Sequence, residues 1–380
     1  MLRSPPLLKS MSVAQGYSGY TFSLNFLEAE TPMKQLQTTG AGTPLAWVEG
    51  PTPEPTGAEV LLRTVACGVC HSDVHLHDGV FDLGGGKALP VAREGMTLGH
   101  EIIGEVVALG PEAEGVALGD LRVAYPWIGC GTCVTCQRGD EQLCLAPANL
   151  GIQKAGGFGD HVVVPHSRYL FDPGTTDPKL AATYACSGLT TYAALKRVPK
   201  LLEGDHLVLV GAGGLGMMAL AIAQAAFGIT PIMVDVDDDK LDAAKAAGAA
   251  EAVNATDADA AKTLKGLTGG GALAVIDFVG SEPSSALALA SLRKGGKLIV
   301  VGMYGGELRF PLPFLPMQAR TIEGNYVGSL QDMDELIALV REGRIPPVAI
   351  DSRQPEEAGA ILAGLKTGQI RGRAVLSYKG

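Results

Sequence analysis

No run of about 18 uninterrupted apolar residues occurs in the chain, so no stretch has the length of a membrane span. The most apolar region, MMALAIAQAAFGITPIMV, is broken by Gln224, Gly228 and Pro231 and reads as a buried helix followed by a buried strand. Clustered Lys and Arg are also missing. The formal charge is −10, and phosphate binding is driven by clustered cations, which argues against nucleic acid as a partner. Residues 1–32 lack the continuous apolar core and the small-residue cleavage site of a secretory signal. They read as a loose, flexible extension, with Met33 opening the folded unit. Cysteine is scarce, at seven residues. Without a secretory signal these thiols belong to a reducing, cytoplasmic compartment, where metal binding or catalysis is favoured over disulfides.

What is abundant is glycine, 51 residues in a chain of 380 that is 47% hydrophobic. That composition fits sizeable cores joined by tight turns, and the length fits two domains. From about residue 200, short apolar runs alternate with helix-length stretches. HLVLVG (206–211), PIMVDV (231–236), LAVIDFVG (273–280) and KLIVVG (297–302) read as strands, with DDKLDAAKAAGA and SSALALASLRKGG as helices between them. Such alternation implies an α/β domain whose parallel sheet is covered on both faces.

The first strand–helix junction reads Gly211-Ala-Gly213-Gly214-Leu-Gly216, and Asp235 ends the next strand. In that setting one glycine permits the turn, one lets a pyrophosphate approach the backbone, and one lets helix pack on strand. The helix N-terminus then offers unpaired N–H groups to the phosphates. Asp235 would accept hydrogen bonds from the adenosine ribose, and Lys240 would reach the same sugar. A 2′-phosphate would meet the Asp235 carboxylate, so NAD is favoured over NADP. Glycines that merely make turns account less well for strand, helix and acid together.

Residues 130–144, CGTCVTCQRGDEQLC, hold four of the seven cysteines: Cys130, Cys133, Cys136 and Cys144. Four thiolates so spaced can close a tetrahedron around one zinc, and a site with no vacant position is structural. A buried, hydrophobe-like cysteine is the ordinary reading of a single thiol, but it does not explain a cluster. Catalysis needs three protein ligands and an open position. The remaining cysteines are Cys67, Cys70 and Cys186. Cys70 stands in CGVCHSDVHLHDG, His100 and Glu101 in GHE, and Cys186 in YACSGLT.

The motifs CGVCHSD, GHE, the four-cysteine lobe, YACSGLTTY, GAGGLG and GQIRGRAV resemble the zinc-dependent alcohol dehydrogenases of the medium-chain dehydrogenase/reductase family, over nearly everything from Met33 onward. The resemblance implies a GroES-like β-barrel catalytic domain (33–187), with strands such as EVLLRTVA, EIIGEVVAL and DHVVVP. It also implies a Rossmann doubly wound coenzyme domain (188–327) and a C-terminal return to the catalytic domain (328–380). Two zinc ions per chain are expected: a catalytic one on Cys70, His100 and Cys186, and a structural one on Cys130, Cys133, Cys136 and Cys144. Cys67 is left as a buried thiol.

By the same resemblance, a zinc-bound alkoxide gives its hydride to nicotinamide C4, while Ser72 and His75 relay the proton outward. His71 and Arg373 touch the coenzyme pyrophosphate, and Thr190 and Leu215 back the nicotinamide. Asp73 holds the second nitrogen of His100, and Glu101 lies beside the metal. Trp127 either lines the substrate pocket or packs the lobe, and His77 is a solvated loop histidine. The expected substrate is a small-molecule alcohol or carbonyl, and the expected assembly a homo-oligomer, tetramer or dimer. Polyol or amino-alcohol oxidation is the nearest alternative, although Cys186 stands where polyol relatives commonly carry glutamate. A non-catalytic NADH- and zinc-binding sensor is a further one; the zinc-free quinone reductases lack these ligands. Steady-state kinetics should give a higher kcat/KM with NAD than with NADP, and the reverse order would contradict the role given to Asp235.

Overall fold

The computed structural model describes residues 32–378, so the extension expected over 1–32 lies, apart from its last residue, outside the described residues. The described chain enters on strand Met33–Gln37, paired antiparallel with Ala46–Gly50. A second sheet has seven strands. Its centre is Val60–Val69, whose Val, Leu, Ala and Cys residues are buried along nearly the whole length. Glu101–Leu109 and Arg373–Ser377 flank it, both antiparallel, and His161–Val164 pairs with its first half. Leu121–Ala124 and Leu170–Phe171 extend one side, and Ile350–Arg353 the other.

Register matters more than strand count here. Gly68 pairs with Glu101, and Val69 with Ala374. Three adjacent strands therefore end at the same end of the sheet, and they carry Cys70, His100 and Arg373 there. The C-terminal segment reaches this place across more than 300 positions of sequence, and only strand pairing brings it back.

The other large sheet has six strands, all parallel, in the order Ala252–Asn254, Ile232–Asp235, Leu207–Val210, Ala272–Asp277, Leu292–Val300, Thr321–Gly324. Chain order reverses between Leu207–Val210 and Ala272–Asp277, and the crevice at the carboxyl ends of such a pair is where ligands bind in open α/β sheets. Both central strands are buried throughout. Helix Gly214–Phe227 leaves the first of them and ends at Gly228, whose φ of 64° no β-branched residue would adopt readily.

The structure alters the expected elements in two places. LAVIDFVG stops being a strand at Asp277 because the Asp277 carboxylate accepts N–H bonds from Val279 and Gly280 and folds the chain away from the sheet. The helix expected through SSALALASLRKGG ends at Ala290, and Leu292–Val300 is already a strand. Ser281 and Ser284 cap that helix reciprocally, while Gly295, at φ 78°, lies in the irregular stretch between the strand's pairing at Leu292 and its resumption at Lys297. Ala252–Asn254 and Thr321–Gly324 have no apolar run to betray them, because edge strands are short and half-exposed.

The Tyr125 hydroxyl donates to the buried Gly328 carbonyl at 2.9 Å, joining the antiparallel sheet to the segment that follows the last parallel strand. Tyr125→Phe removes the donor and leaves that carbonyl buried. The expected loss is about 1–3 kcal/mol, read as a lower denaturation midpoint; an unchanged midpoint would show that the bond contributes nothing net.

Candidate active site

Cys70 follows strand Val60–Val69 and caps helix His71–Asp78. Its Sγ accepts the Ser72 N–H at 3.3 Å, and its own N–H donates to Asp73 Oδ2 at 2.9 Å. A thiolate is thus fixed at a helix N-terminus, where backbone N–H groups favour negative charge. His100 immediately precedes the neighbouring strand, and its Nε2 stands 3.1 Å from Cys70 Sγ. Cys186 lies in a single π-helical turn, Tyr184–Gly188, between helices Pro178–Thr183 and Leu189–Lys196. Such turns recur at functional sites. One ligand atom from each of Cys70, His100 and Cys186 falls within 4.8 Å of the others, and all three residues are buried.

The charges fit a metal. A hydrogen bond from the Cys186 thiol, with His100 and Arg373 nearby, holds the Cys70 thiol well below its ordinary range against the effect of burial. The same bond, together with burial, pushes Cys186 up. Burial opposes charge on His100, yet Cys70 and Asp73 raise its pKa well above the usual value. Two sulfurs competing for one proton beside an imidazole are a donor set that a divalent cation would satisfy.

Around the trio, Asp73 is fully buried and accepts N–H bonds from Cys70 and Gly99, the residues at or before two of the ligands. Its Oδ1 lies 3.3 Å from His100 Nδ1, but that ring nitrogen is not aligned for a hydrogen bond. Asp73 therefore secures backbone first and sits next to the ring second. Glu101 is also fully buried, pairs with Arg373 Nη2 at 2.6 and 2.7 Å, and accepts the Ser187 N–H at 3.2 Å. Gly68 leaves the room this carboxylate needs, since a Cβ there would overlap Glu101 Oε2. Burial raises the Glu101 pKa, with Arg373 pulling the other way.

On the same helix, Ser72 is half-buried and His75 stacks on Phe81 at 4.6 Å between ring centroids. Burial lowers the His75 pKa, partly offset by Cys70 and Asp78; burial lowers His71 as well. His77 differs from the expectation of a solvated loop residue. It belongs to helix His71–Asp78, its Nε2 contacts the Thr43 carbonyl at 2.8 Å, and the ring is mostly covered. Cys67 is fully buried, as a structural thiol would be.

At the end of strand Leu207–Val210, Gly211 adopts φ 99° and a Cβ on Gly216 would overlap the Gly211 carbonyl. Gly213 has open space on its Cβ side and Gly214 meets the Arg373 stem, where a Cβ would lie 2.7 Å from Cδ. The buried Arg373 Nε and the buried Thr190 Oγ1 have no protein partner. Open backbone and an unpartnered guanidinium N–H at a helix N-terminus fit a pyrophosphate. Leu215 packs partly buried against the core. Asp235 accepts N–H bonds from Ala212, Val236 and Asp237 at 2.6, 2.8 and 3.1 Å, which fixes its carboxylate beside the glycine turn. Lys240 has its N–H capped by Asp237 and extends its Nζ toward Gly368.

Trp127 is buried, donates its Nε1–H to Ala185 O at 3.1 Å, and packs on His100 at 5.3 Å. It faces the trio rather than the four-cysteine lobe. Tyr326, 5.8 Å from Trp127 and 42% exposed, completes an aromatic wall. Sequence gave no sign of Tyr326, because it belongs to no motif and follows an edge strand. Asn325 was equally hidden; it bonds the carbonyls of Thr190 and Val327 and holds this wall to helix Leu189–Lys196.

The lobe gathers separately. One Sγ from each of Cys130, Cys133, Cys136 and Cys144 lies within 4.8 Å of the others. Backbone N–H groups of Cys133, Cys130 and Ala146 donate to sulfurs of Cys130 and Cys144 at 3.3–3.4 Å. Hydrogen bonds from Thr132 lower the exposed Cys130 thiol to about 6.

A buried Cys–His–Cys trio linked to a glycine turn through Glu101 and Arg373 is the layout of a metal-dependent dehydrogenase. A family described as alcohol dehydrogenase GroES-like domain matches residues 56–172, and one described as zinc-binding dehydrogenase matches 214–342. The NAD-dependent alcohol dehydrogenase of Sulfurisphaera tokodaii is 38% identical over 353 residues, covering 90% of this chain and 99% of that protein. The alcohol dehydrogenase structure from Aeropyrum pernix superposes with a TM-score of 0.81 at 31% identity, covering 91% of this chain and 100% of the other. The acetophenone reductase of Geotrichum candidum, solved in complex with NAD, gives a TM-score of 0.80 at 29% identity over 91% of this chain and 97% of its own. This chain belongs to the zinc-dependent alcohol dehydrogenases of the medium-chain family.

The covering of His75 gives a direct check. Its NMR titration midpoint, assigned with His75→Asn, should fall below the ordinary value of about 6.5, leaving the ring neutral at pH 7; a midpoint at or above that value would contradict the environment described.

Proposed function

We propose that this protein oxidises an alcohol reversibly to an aldehyde or ketone with NAD, at the site built by Cys70, His100 and Cys186. The reaction class follows from the family; the assignment of residues is our reading, and the convergence of two buried thiols and an imidazole beside the glycine turn carries it. When bound, zinc supplies a Lewis acid that lowers the alcohol's pKa, and NAD supplies the hydride acceptor. Cys70, His100 and Cys186 would hold the metal with an open position, while Cys130, Cys133, Cys136 and Cys144 would hold a second zinc with none.

The chain's own groups do the rest. Ser72 Oγ accepts the proton lost by the substrate hydroxyl as its own hydroxyl proton leaves, and His75, one helical turn further on, is neutral enough to be the final acceptor at a ring nitrogen. The glycine turn, His71 and Arg373 bind pyrophosphate, Asp235 and Lys240 bind the ribose, and Thr190 and Leu215 back the nicotinamide. Glu101 and Asp73 keep the ligands in place. Trp127 and Tyr326 give the substrate an aromatic wall that excludes water and favours an apolar alcohol over a polyol.

The same reading divides the described chain near residues 187 and 327, with the C-terminal part returning to the antiparallel sheet. It places the protein in the cytoplasm, where thiolates stay reduced, and as a homo-oligomer, tetramer or dimer. Among the described residues no helix is long and apolar enough to cross a membrane. Met303, Tyr304, Leu312, Phe314 and Met317, all exposed in one segment, support the assembly reading.

Metal analysis of the loaded protein should find two zinc ions per chain. Cys70→Ala and His100→Ala should each abolish alcohol-dependent NADH formation and leave NADH binding, followed by fluorescence, largely intact. One zinc per chain, or a ligand variant that keeps most of its activity, would contradict the assignment.

A further inference from the structure

We propose that the four-cysteine lobe is a thiol-modification site, in which Cys130 reacts first with a small carboxylate-bearing disulfide such as oxidised glutathione and so releases the lobe's metal. This inference rests on the metal reading of the lobe given above.

Access differs sharply between the two cysteine groups. Cys70 and Cys186 are 4% and 7% exposed. In the lobe, Cys136 and Cys144 are buried and Cys133 is half-buried, while Cys130 is exposed. A shallow, open depression of about 340 Å³ lies over Cys130, lined also by Ile128, Gly131, His166, Arg168 and Tyr169. No carboxylate lines it. Arg168 is its one fixed cation, 47% exposed, and is held from behind by Glu141 at 2.9 Å. Its remaining N–H groups can take a carboxylate of the incoming disulfide. The Cys133 N–H and Thr132 hydroxyl donate to Cys130 Sγ at 3.4 and 3.5 Å and hold the sulfur in place.

The exchange balances without any other reactant. Cys130 thiolate forms a bond to one sulfur of the small disulfide, whose S–S bond breaks and whose other half leaves as a thiolate. Cys136 Sγ, 3.9 Å from Cys130 Sγ, then attacks the Cys130 sulfur, and the second small thiolate leaves. Two electrons have passed from the cysteine pair to the small disulfide, and the leaving thiolates take protons from water. A metal that has lost two of four thiolate donors is no longer held. The buried trio keeps its own.

Fully loaded enzyme is incubated with oxidised glutathione, released zinc is read with a chromophoric chelator, and modified cysteines are mapped by mass spectrometry. The expected result is release of one of two zinc ions per chain, with glutathione or a disulfide on Cys130, and NADH binding retained. Arg168→Gln should slow release several-fold with oxidised glutathione and leave it unchanged with the uncharged hydroxyethyl disulfide. Modification of Cys70 or Cys186 first, no release from a protein shown to hold two zinc ions, or equal slowing with both reagents would overturn the proposal. A starting content of one zinc would instead refute the metal reading on which it stands.

Discussion

A single buried ion pair, Glu101 with Arg373, joins the parts of this protein that its chemistry needs together. The carboxylate belongs to the residue after His100, it accepts the N–H of the residue after Cys186, and the guanidinium reaches toward the carbonyl of the residue before Cys70 at 3.4 Å. Backbone beside all three ligands therefore meets one charge pair. The Arg373 stem also lies against Gly214 in the glycine turn. Burying two charges is costly unless each finds its partner, and removing one partner of such a pair costs about 3–5 kcal/mol. The pair constrains where the C-terminal strand, the π-helical turn and the coenzyme turn stand relative to one another.

Around that constraint the sulfurs divide by exposure and by company. Cys70 and Cys186 are buried beside a histidine and an arginine, so one thiolate is favoured electrostatically even before any metal enters. The lobe cysteines lie near the surface, satisfied by backbone N–H donors from their own loop. The first arrangement sets three donors beside Trp127, with Tyr326 against that ring. The second offers four donors to one ion, which suits a clamp on the loop.

Much of this was legible in the sequence because local motifs carry local physics. The glycine turn with Asp235 and the four-cysteine lobe are short patterns whose spacing points to a chemical use, whereas Cys70, His100 and Cys186 are scattered along the chain and were grouped only by the family resemblance; the structure brings those three together. Other features were not legible, for reasons that are physical. Tyr326 and Asn325 act through long-range packing, and no local pattern marks them. His77 looked solvated because its partner, the Thr43 carbonyl, is distant in sequence. Leu292 begins a strand where propensity favoured helix, since pairing with Ala272 overrides it.

The central claim is that one cluster is closed and the other open. Cobalt placed in both sites of the zinc-free protein reports coordination through its visible absorption, and imidazole can enter only where a position is vacant. The account predicts two tetrahedral thiolate–cobalt spectra per chain, of which the one assigned to Cys70, His100 and Cys186 shifts on adding imidazole while the other stays fixed. Spectra that both shift, or that both stay unchanged, would contradict it.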